Sequence, residues 1–317
     1  MTRRVDGYAL GTFSDGNGEF AGLVSGDRVM PLEAATVRDL LDEWESVRDR
    51  LPERAATLAD GGGRPLAELA VRAPVMPRQI IQAGANYRSH VAEIVLSGRE
   101  PDDTRSDEEL RREAETMMDE KTRTGSPFFF SGLPAAICGP DDDVLLPPES
   151  AKVDWEVELT AVIGKTAHRV PRERVMEHVA GFTVCNDISA RDLQFPPEHR
   201  PLGGDWIRAK NRPTFLPTGP FITPVEVLGD YRERAITLDL NGERKQSDVP
   251  ANLLFDVEAI IAAASTATTL YPGDLVLTGS PAGNGGKWQR WLGPGDVVEA
   301  GISGIGVQRN TCVQEPR

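Results

Sequence analysis

Asp154-Trp155-Glu156-Val157-Glu158, running on into Leu159-Thr160-Ala161-Val162-Ile163, is the stretch on which the fold turns. From Val157 onward it reads as a strand. Read as extended chain with a period of two, it sets Asp154, Glu156 and Glu158 on one face and Trp155 and Val157 on the other. Carboxylates that close repel and raise one another's pKa values unless a cation lies among them. An all-oxygen site for a hard divalent ion, Mg²⁺, Mn²⁺ or Ca²⁺, resolves the crowding. A half-exposed edge strand with a solvated acidic face is the competing reading.

Working outward, further strands are expected at Phe128-Phe129-Phe130, Val144-Leu145-Leu146, Gly181 to Cys185, Ile236 to Leu240, Leu275 to Thr278 and Val297 to Glu299. Helical periodicity is confined to Arg172 to Val179 and Leu253 to Ala264 in this half. Strands dominate without regular β-α alternation, so the expectation is an α+β, β-rich mixed fold rather than a doubly wound parallel sheet. Residues 5 to 32 alternate around glycine turns, which predicts a small antiparallel sheet. Residues 36 to 59 carry Leu40, Leu41, Trp44, Val47 and Leu51 at helical spacing. Gly61-Gly62-Gly63, Pro74 and Pro77 then mark a linker. The expected division is a small N-terminal α/β domain at 1–76 and a larger domain at 77–317. Within the second, the charged segment 97–126 contains the capping box Ser106-Asp107-Glu108-Glu109 and a stripe of Leu110, Ala114, Met117 and Met118, predicting a helix to about Glu120. It reads either as an active-site lid or as a solvated insertion.

Composition excludes whole classes of partner. The chain has 317 residues, 39% of them apolar, enough for a well-buried core. A formal net charge of −14 leaves no basic stripe for nucleic acid and disfavours an anionic membrane. Met1-Thr2-Arg3-Arg4 leads into mixed polar sequence, and no window has the apolar length of a bilayer span, so a cytoplasmic protein is expected. Cys138, Cys185 and Cys312 are widely spaced and read as small buried hydrophobes.

His90 and Glu93 stand three apart, so on a helical turn the carboxylate can orient the imidazole as a base. A surface pair is the plainer alternative. His168, His178 and His199 sit in turns or at helix ends. Asp187 follows an apolar strand and emerges at its end, where ligands collect, or else serves as a helix N-cap. Lys210, taken alone, reads as a surface lysine. Thr278-Gly279-Ser280-Pro281-Ala282-Gly283 is a tight polar loop able to offer N–H groups and the Thr278 hydroxyl to an anionic substrate. No Walker A, G-x-S-x-G, H-E-x-x-H or G-x-G-x-x-G pattern survives inspection.

In order, Asn86-Tyr87-x-x-His90-x-x-Glu93, Asp154-Trp155-Glu156-Val157-Glu158, the run Gly181 to Gln194 with Asn186-Asp187 and Arg191-Asp192, Lys210, the Thr278 loop and Gly293-Pro294-Gly295-Asp296 form a specific set. This set resembles the fumarylacetoacetate hydrolase family over about residues 78 to 312. The resemblance implies a mixed β-roll catalytic domain and metal ligands at Glu156, Glu158 and Asp187, with Asp154 a neighbour. It further implies a water-activating His90–Glu93 pair assisted by Lys210, and Gln194, Arg191 and Thr278 around the substrate. A homodimer acting on a small keto acid is implied. The chemistry is hydrolysis of a C–C bond in a 1,3-diketo acid of the acylpyruvate type. Alternatives are decarboxylation, keto–enol tautomerisation or isomerisation at the same metal-enolate site, and a non-catalytic metal-binding scaffold. Two departures stand out: Phe129-Phe130-Ser131-Gly132 replaces the more usual Phe-x-Lys-Pro, and Asn211-Arg212-Pro213 follows Lys210 in place of Ser-Phe-Asp.

Overall fold

The computed structural model describes residues 4–97, 99 and 102–316. Met1, Thr2, Arg3 and Gly98, the expected near boundary of the charged segment, lie outside the described residues.

The quoted stretch forms the heart of a six-stranded mixed sheet. Its strand Val157–Ile163 is buried at every position and pairs antiparallel with the equally buried Val179–Asn186, Val157 opposite Asn186 and Thr160 opposite Thr183. On its other side it pairs antiparallel with Leu275–Leu277, which runs parallel to Ile80–Gly84. Thr223–Pro224 and Phe128–Gly132 complete the two edges. Burial on both faces explains why these strands read as continuous apolar runs.

Strand direction positions the site. Thr160 lies opposite Leu277 and Leu277 opposite Gln82. The C-terminal ends of Ile80–Gly84, Leu275–Leu277 and Val179–Asn186 therefore gather at the N-terminal end of Val157–Ile163. Four connections separated widely in sequence emerge at one end of the sheet, the usual place for a ligand site.

A second five-stranded sheet orders Glu243–Asp248, Ile236–Leu240, Val297–Ile302, Gly306–Gln314 and Val144–Leu146. One core joins it to the first, with Trp155, Phe182, Leu238 and Ile260 in a single cluster. Residues 5–71 contribute an antiparallel sheet ordered Arg64–Pro65, Arg28–Pro31, Glu19–Gly26, Val5–Ser14 and Ala70–Val71. Its core runs on into the larger body: Leu10, Leu23 and Trp44 share a cluster with Val162, Ile222 and Leu275, and Leu10 and Ile222 exchange backbone hydrogen bonds of 2.9 and 2.8 Å.

Several local expectations are refined. The 36–59 helix is three short pieces, Val37–Asp42, Trp44–Val47 and Leu51–Ala59. Thr36 and Asp39 cap the first reciprocally, Glu43 ends it, and Pro52 in the first turn of the third forbids continuation from the second. The Arg172 segment is a 3₁₀ helix, Arg172–His178. The Leu253 helix begins only at Val257, where Asp256 caps it. In the charged segment Ser106 and Glu109 form the capping box of the helix Asp107–Thr124. Leu110, Ala114 and Met118 are buried while Met117 is exposed. Ala114 and Met118 join the main core, so this helix is seated on the body. Among the described residues no helix is long and apolar enough to cross a membrane, and all three cysteines are buried and unpaired.

Candidate active site

The extended reading of residues 154–158 needs one correction. Val153–Asp154 is a strand paired with Ser189–Ala190, and the ladder breaks at Trp155 and Glu156 before resuming at Val157. Side chains replace ladder partners at the break: Glu156 N donates to Asn186 Oδ1 (2.9 Å) and Val157 N to Gln246 Oε1 (3.1 Å). Trp155 and Val157 still enter the core, and the acidic side chains still turn away from it. The break separates the carboxylates into two groups.

Glu156, Glu158 and Asp187 form a buried triad, with one oxygen from each within 4.8 Å of the others. Lys210, expected from sequence alone at the surface, is buried at 4% exposure because its helix Trp206–Lys210 folds over the triad. Its Nζ bridges Glu156 Oε2 and Asp187 Oδ2, the latter at 2.5 Å. Asp187 is no N-cap: Ser189–Ala190 is extended and the next helix starts at Arg191. Asp154 stands outside the triad. It accepts from Arg191 Nε at 2.8 Å and from Gly285 N at 2.6 Å. Arg191, expected around the substrate, spans the two groups, its other arm donating to Glu156 Oε1 at 2.5 Å.

The Thr278 loop departs most from expectation. Two of its N–H groups hold the protein's own anions, Gly279 N donating to Glu158 Oε2 (2.7 Å) and Gly283 N to Glu93 Oε2 (2.9 Å), and Gly285 N just beyond the loop donates to Asp154 Oδ1. The Thr278 hydroxyl donates to the Leu159 carbonyl at 2.9 Å and does not reach the cavity. Gly283 has φ +106°, and a Cβ there would lie 2.0 Å from the Lys245 carbonyl oxygen, so only glycine fits this turn. Asn284, unremarked in the sequence, donates to Glu156 Oε1 at 2.9 Å. Its position directly after the glycine-rich loop was the available signal.

His90 and Glu93 lie on one face of the helix Arg88–Ser97, as their spacing requires, with His90 Nδ1 4.0 Å from Glu93 Oε2. His90, Glu93, the triad, Lys210, Gln194 and Arg191 line one cavity of about 480 Å³. Ser280, Asn284, Lys287 and several aromatic side chains complete it. His168, His178 and His199 contact Thr269, the Lys165 and Thr166 carbonyls, and Asp205 respectively, and none lines this cavity. No residue of Asp107–Thr124 lines it either.

The electrostatics fit a divalent cation. Burial pushes Glu158 well above the usual carboxylate range, and Asp187 and Glu156 push it further. Burial also raises Asp187 to about 6, with Lys210 opposing and Glu156 adding. Burial acts the same way on Glu156, but the charges of Arg191 and Lys210 outweigh it and hold that carboxyl low. Asp154, Glu156, Glu158 and Asp187 are four buried carboxyls facing two cations, Arg191 and Lys210, so full ionisation leaves two negative charges to balance. Asp187 Oδ1 is buried with no hydrogen-bond partner among the described residues. An orphaned anionic oxygen at a site two charges short of neutrality matches hard-cation ligation. Glu156, Glu158 and Asp187 are thus able to hold a metal ion.

One cavity thus brings together a buried carboxylate triad able to hold a metal ion, a lysine across it and a His–Glu pair beside it, at the end of a sheet. The profile described as Fumarylacetoacetate (FAA) hydrolase C-terminal matches residues 79–313, and the chain belongs to that family. It is 34% identical over 305 residues to the mitochondrial oxaloacetate tautomerase FAHD2B of Bos taurus, covering 94% of this chain and 85% of that protein. Among solved structures it resembles 5-carboxymethyl-2-hydroxymuconate delta-isomerase from Mycobacterium smegmatis (TM-score 0.70, 27% identity, 98% and 100% of the two chains). It also resembles maleylpyruvate hydrolase from Sphingobium sp. SYK-6 (TM-score 0.72, 26% identity, 96% and 99%).

Proposed function

We propose that this enzyme interconverts the keto and enol forms of a 2-oxo acid bearing a second carbonyl or carboxyl group, of the oxaloacetate type. One observation carries the proposal: the metal-competent triad and the His90–Glu93 pair share a single cavity. The relative named an oxaloacetate tautomerase, similar over nearly the whole chain, supports the same choice over the hydrolytic expectation.

The residues divide the work. Glu93, anchored by the Gly283 N–H, faces His90 and favours the tautomer that leaves the second ring nitrogen free. His90 takes a proton from C3 of the keto acid, the electron pair becomes the C2=C3 bond, and the C2 oxygen receives a proton. Lys210 places positive charge where the C2 oxygen gains negative charge. Mg²⁺ or Mn²⁺ on Glu156, Glu158 and Asp187 would supply Lewis-acid stabilisation of that same charge. Arg191, Asn284 and the loop N–H groups hold the carboxylates in place so that they need not rearrange as charge develops.

The test is NMR of oxaloacetate with purified protein and Mg²⁺ or Mn²⁺, with and without chelator. Metal-dependent acceleration of keto–enol exchange is the expected result, and no acceleration above buffer overturns the proposal. The His90–Glu93 pair also supports a second reading, hydrolysis of an acylpyruvate. Water adds to the C4 carbonyl, the C3–C4 bond breaks, and C3 takes a proton to give pyruvate and a carboxylic acid. Pyruvate accumulating from acetylpyruvate in the same spectra would select it.

A further inference from the structure

The acid–base groups leave one wall of the cavity without a role. Phe130 and Trp206 stack at 4.6 Å between ring centroids, 30° from parallel. Phe195 meets Trp206 edge-on at 5.8 Å, and Phe128 supports it at 5.6 Å. Phe130, Phe195 and Trp206 line the cavity. The wall begins at the chemistry: Lys210 Nζ lies 5.4 Å from the Phe130 ring centroid.

The placement is built rather than incidental. Trp206 and Lys210 are the two ends of one five-residue helix. Asn211 ties that helix to the edge strand Phe128–Gly132, accepting from Leu133 N at 2.5 Å and donating to the Ser131 carbonyl at 3.3 Å. Trp206 Nε1 is satisfied by the Gly203 carbonyl at 2.8 Å, so the indole needs no polar group from a ligand. Phe128 and Phe195 remain 47% and 44% exposed. Contiguous aromatic surface left open at a cavity marks a binding face, and a short dicarboxylate has no apolar group to cover it.

We propose that the preferred substrates are 2-oxo acids whose C4 end carries a planar, conjugated, apolar arm that lies along Trp206 and Phe130 while the acid head sits at the triad. This rests on the enolisation reading for the chemistry at the head. Asn211 and Ser131, two of the residues at which the chain departs from the common family pattern, meet at the hydrogen bond that pins the wall.

The test compares benzoylpyruvate with acetylpyruvate, which share a head and differ in the arm, using the Mg²⁺-loaded enzyme. Total turnover, by enolisation or cleavage, gives kcat/KM, and calorimetry gives Kd. The expected preference for benzoylpyruvate is about tenfold, carried in KM. Trp206→Ala should collapse it and Trp206→Phe restore most of it. A ratio near one in the wild type, or an equal loss for both acids in Trp206→Ala, overturns the proposal. So does a changed oligomeric mass of Trp206→Ala with the ratio intact, which would make the wall an interface between copies. Preferential binding of benzoylpyruvate without turnover overturns the enolisation reading and leaves the wall standing; turnover of both acids without preference does the reverse.

Discussion

Lys210→Met removes one charge from the most tightly coupled part of the molecule. The ammonium is the partner shared by Glu156 and Asp187, both less than 7% exposed, and methionine fills a similar volume without charge. Deleting one member of a buried ion pair costs about 3–5 kcal/mol, because the remaining charge is neither solvated nor matched. Unfolding entropy of about 2.1 cal/mol/K per residue over 317 residues converts that to a fall in Tm of about 4.5–7.5 °C. The size of the fall depends on the metal. In chelator the carboxylates have lost their bridging cation and the full fall is expected. With saturating Mg²⁺ the ion supplies the missing charge, and the fall should shrink to about 1–2 °C. Differential scanning calorimetry of both proteins, with EDTA and with Mg²⁺, reads this directly. A fall below about 1 °C in EDTA, or an equal fall with and without Mg²⁺, would refute the placement of Lys210 against the triad.

Other outcomes follow from the same geometry. His90→Gln should retain Mg²⁺ binding by calorimetry and lose about 10²–10⁴ in the exchange rate measured by NMR, whereas unchanged exchange would remove His90 from the chemistry. Because Glu158 and Asp187 sit above their ordinary range in the metal-free protein, the metal must displace protons they hold. Affinity for Mg²⁺ should therefore rise as pH increases through about 6, with net proton release in calorimetry across buffers of different ionisation enthalpy; no proton release at that pH would contradict it. Gly283→Ala should destabilise by more than about 1 kcal/mol in urea titration, since its Cβ collides with the Lys245 carbonyl at positive φ. The displaced N–H releases Glu93, so exchange activity should fall as well, and a fully active, fully stable variant would count against the anchor.

The candidate site residues are legible in the sequence because their types and spacings are local facts. Glu156 and Glu158 alternate with core residues in a period of two, His90 and Glu93 share a helical face at a spacing of three, and Ser106 with Glu109 spells a helix start. Each follows from backbone geometry over a few residues, so the sequence by itself determined the β-rich class, the main strand positions and the family. What it could not determine is which distant groups meet. Lys210 read as a surface residue because nothing adjacent to it shows the carboxylates 23 and 54 positions away that its amine bridges. The Thr278 loop reads as a cradle for substrate because N–H donors do not reveal whose anion they will hold, and packing gave two of them to Glu158 and Glu93. Thr278 itself was drawn to the Leu159 carbonyl. Tertiary structure decided these pairings because strand order and direction bring the ends of Ile80–Gly84, Leu275–Leu277 and Val179–Asn186 to the start of Val157–Ile163. Buried charges must then take whichever partners that convergence supplies.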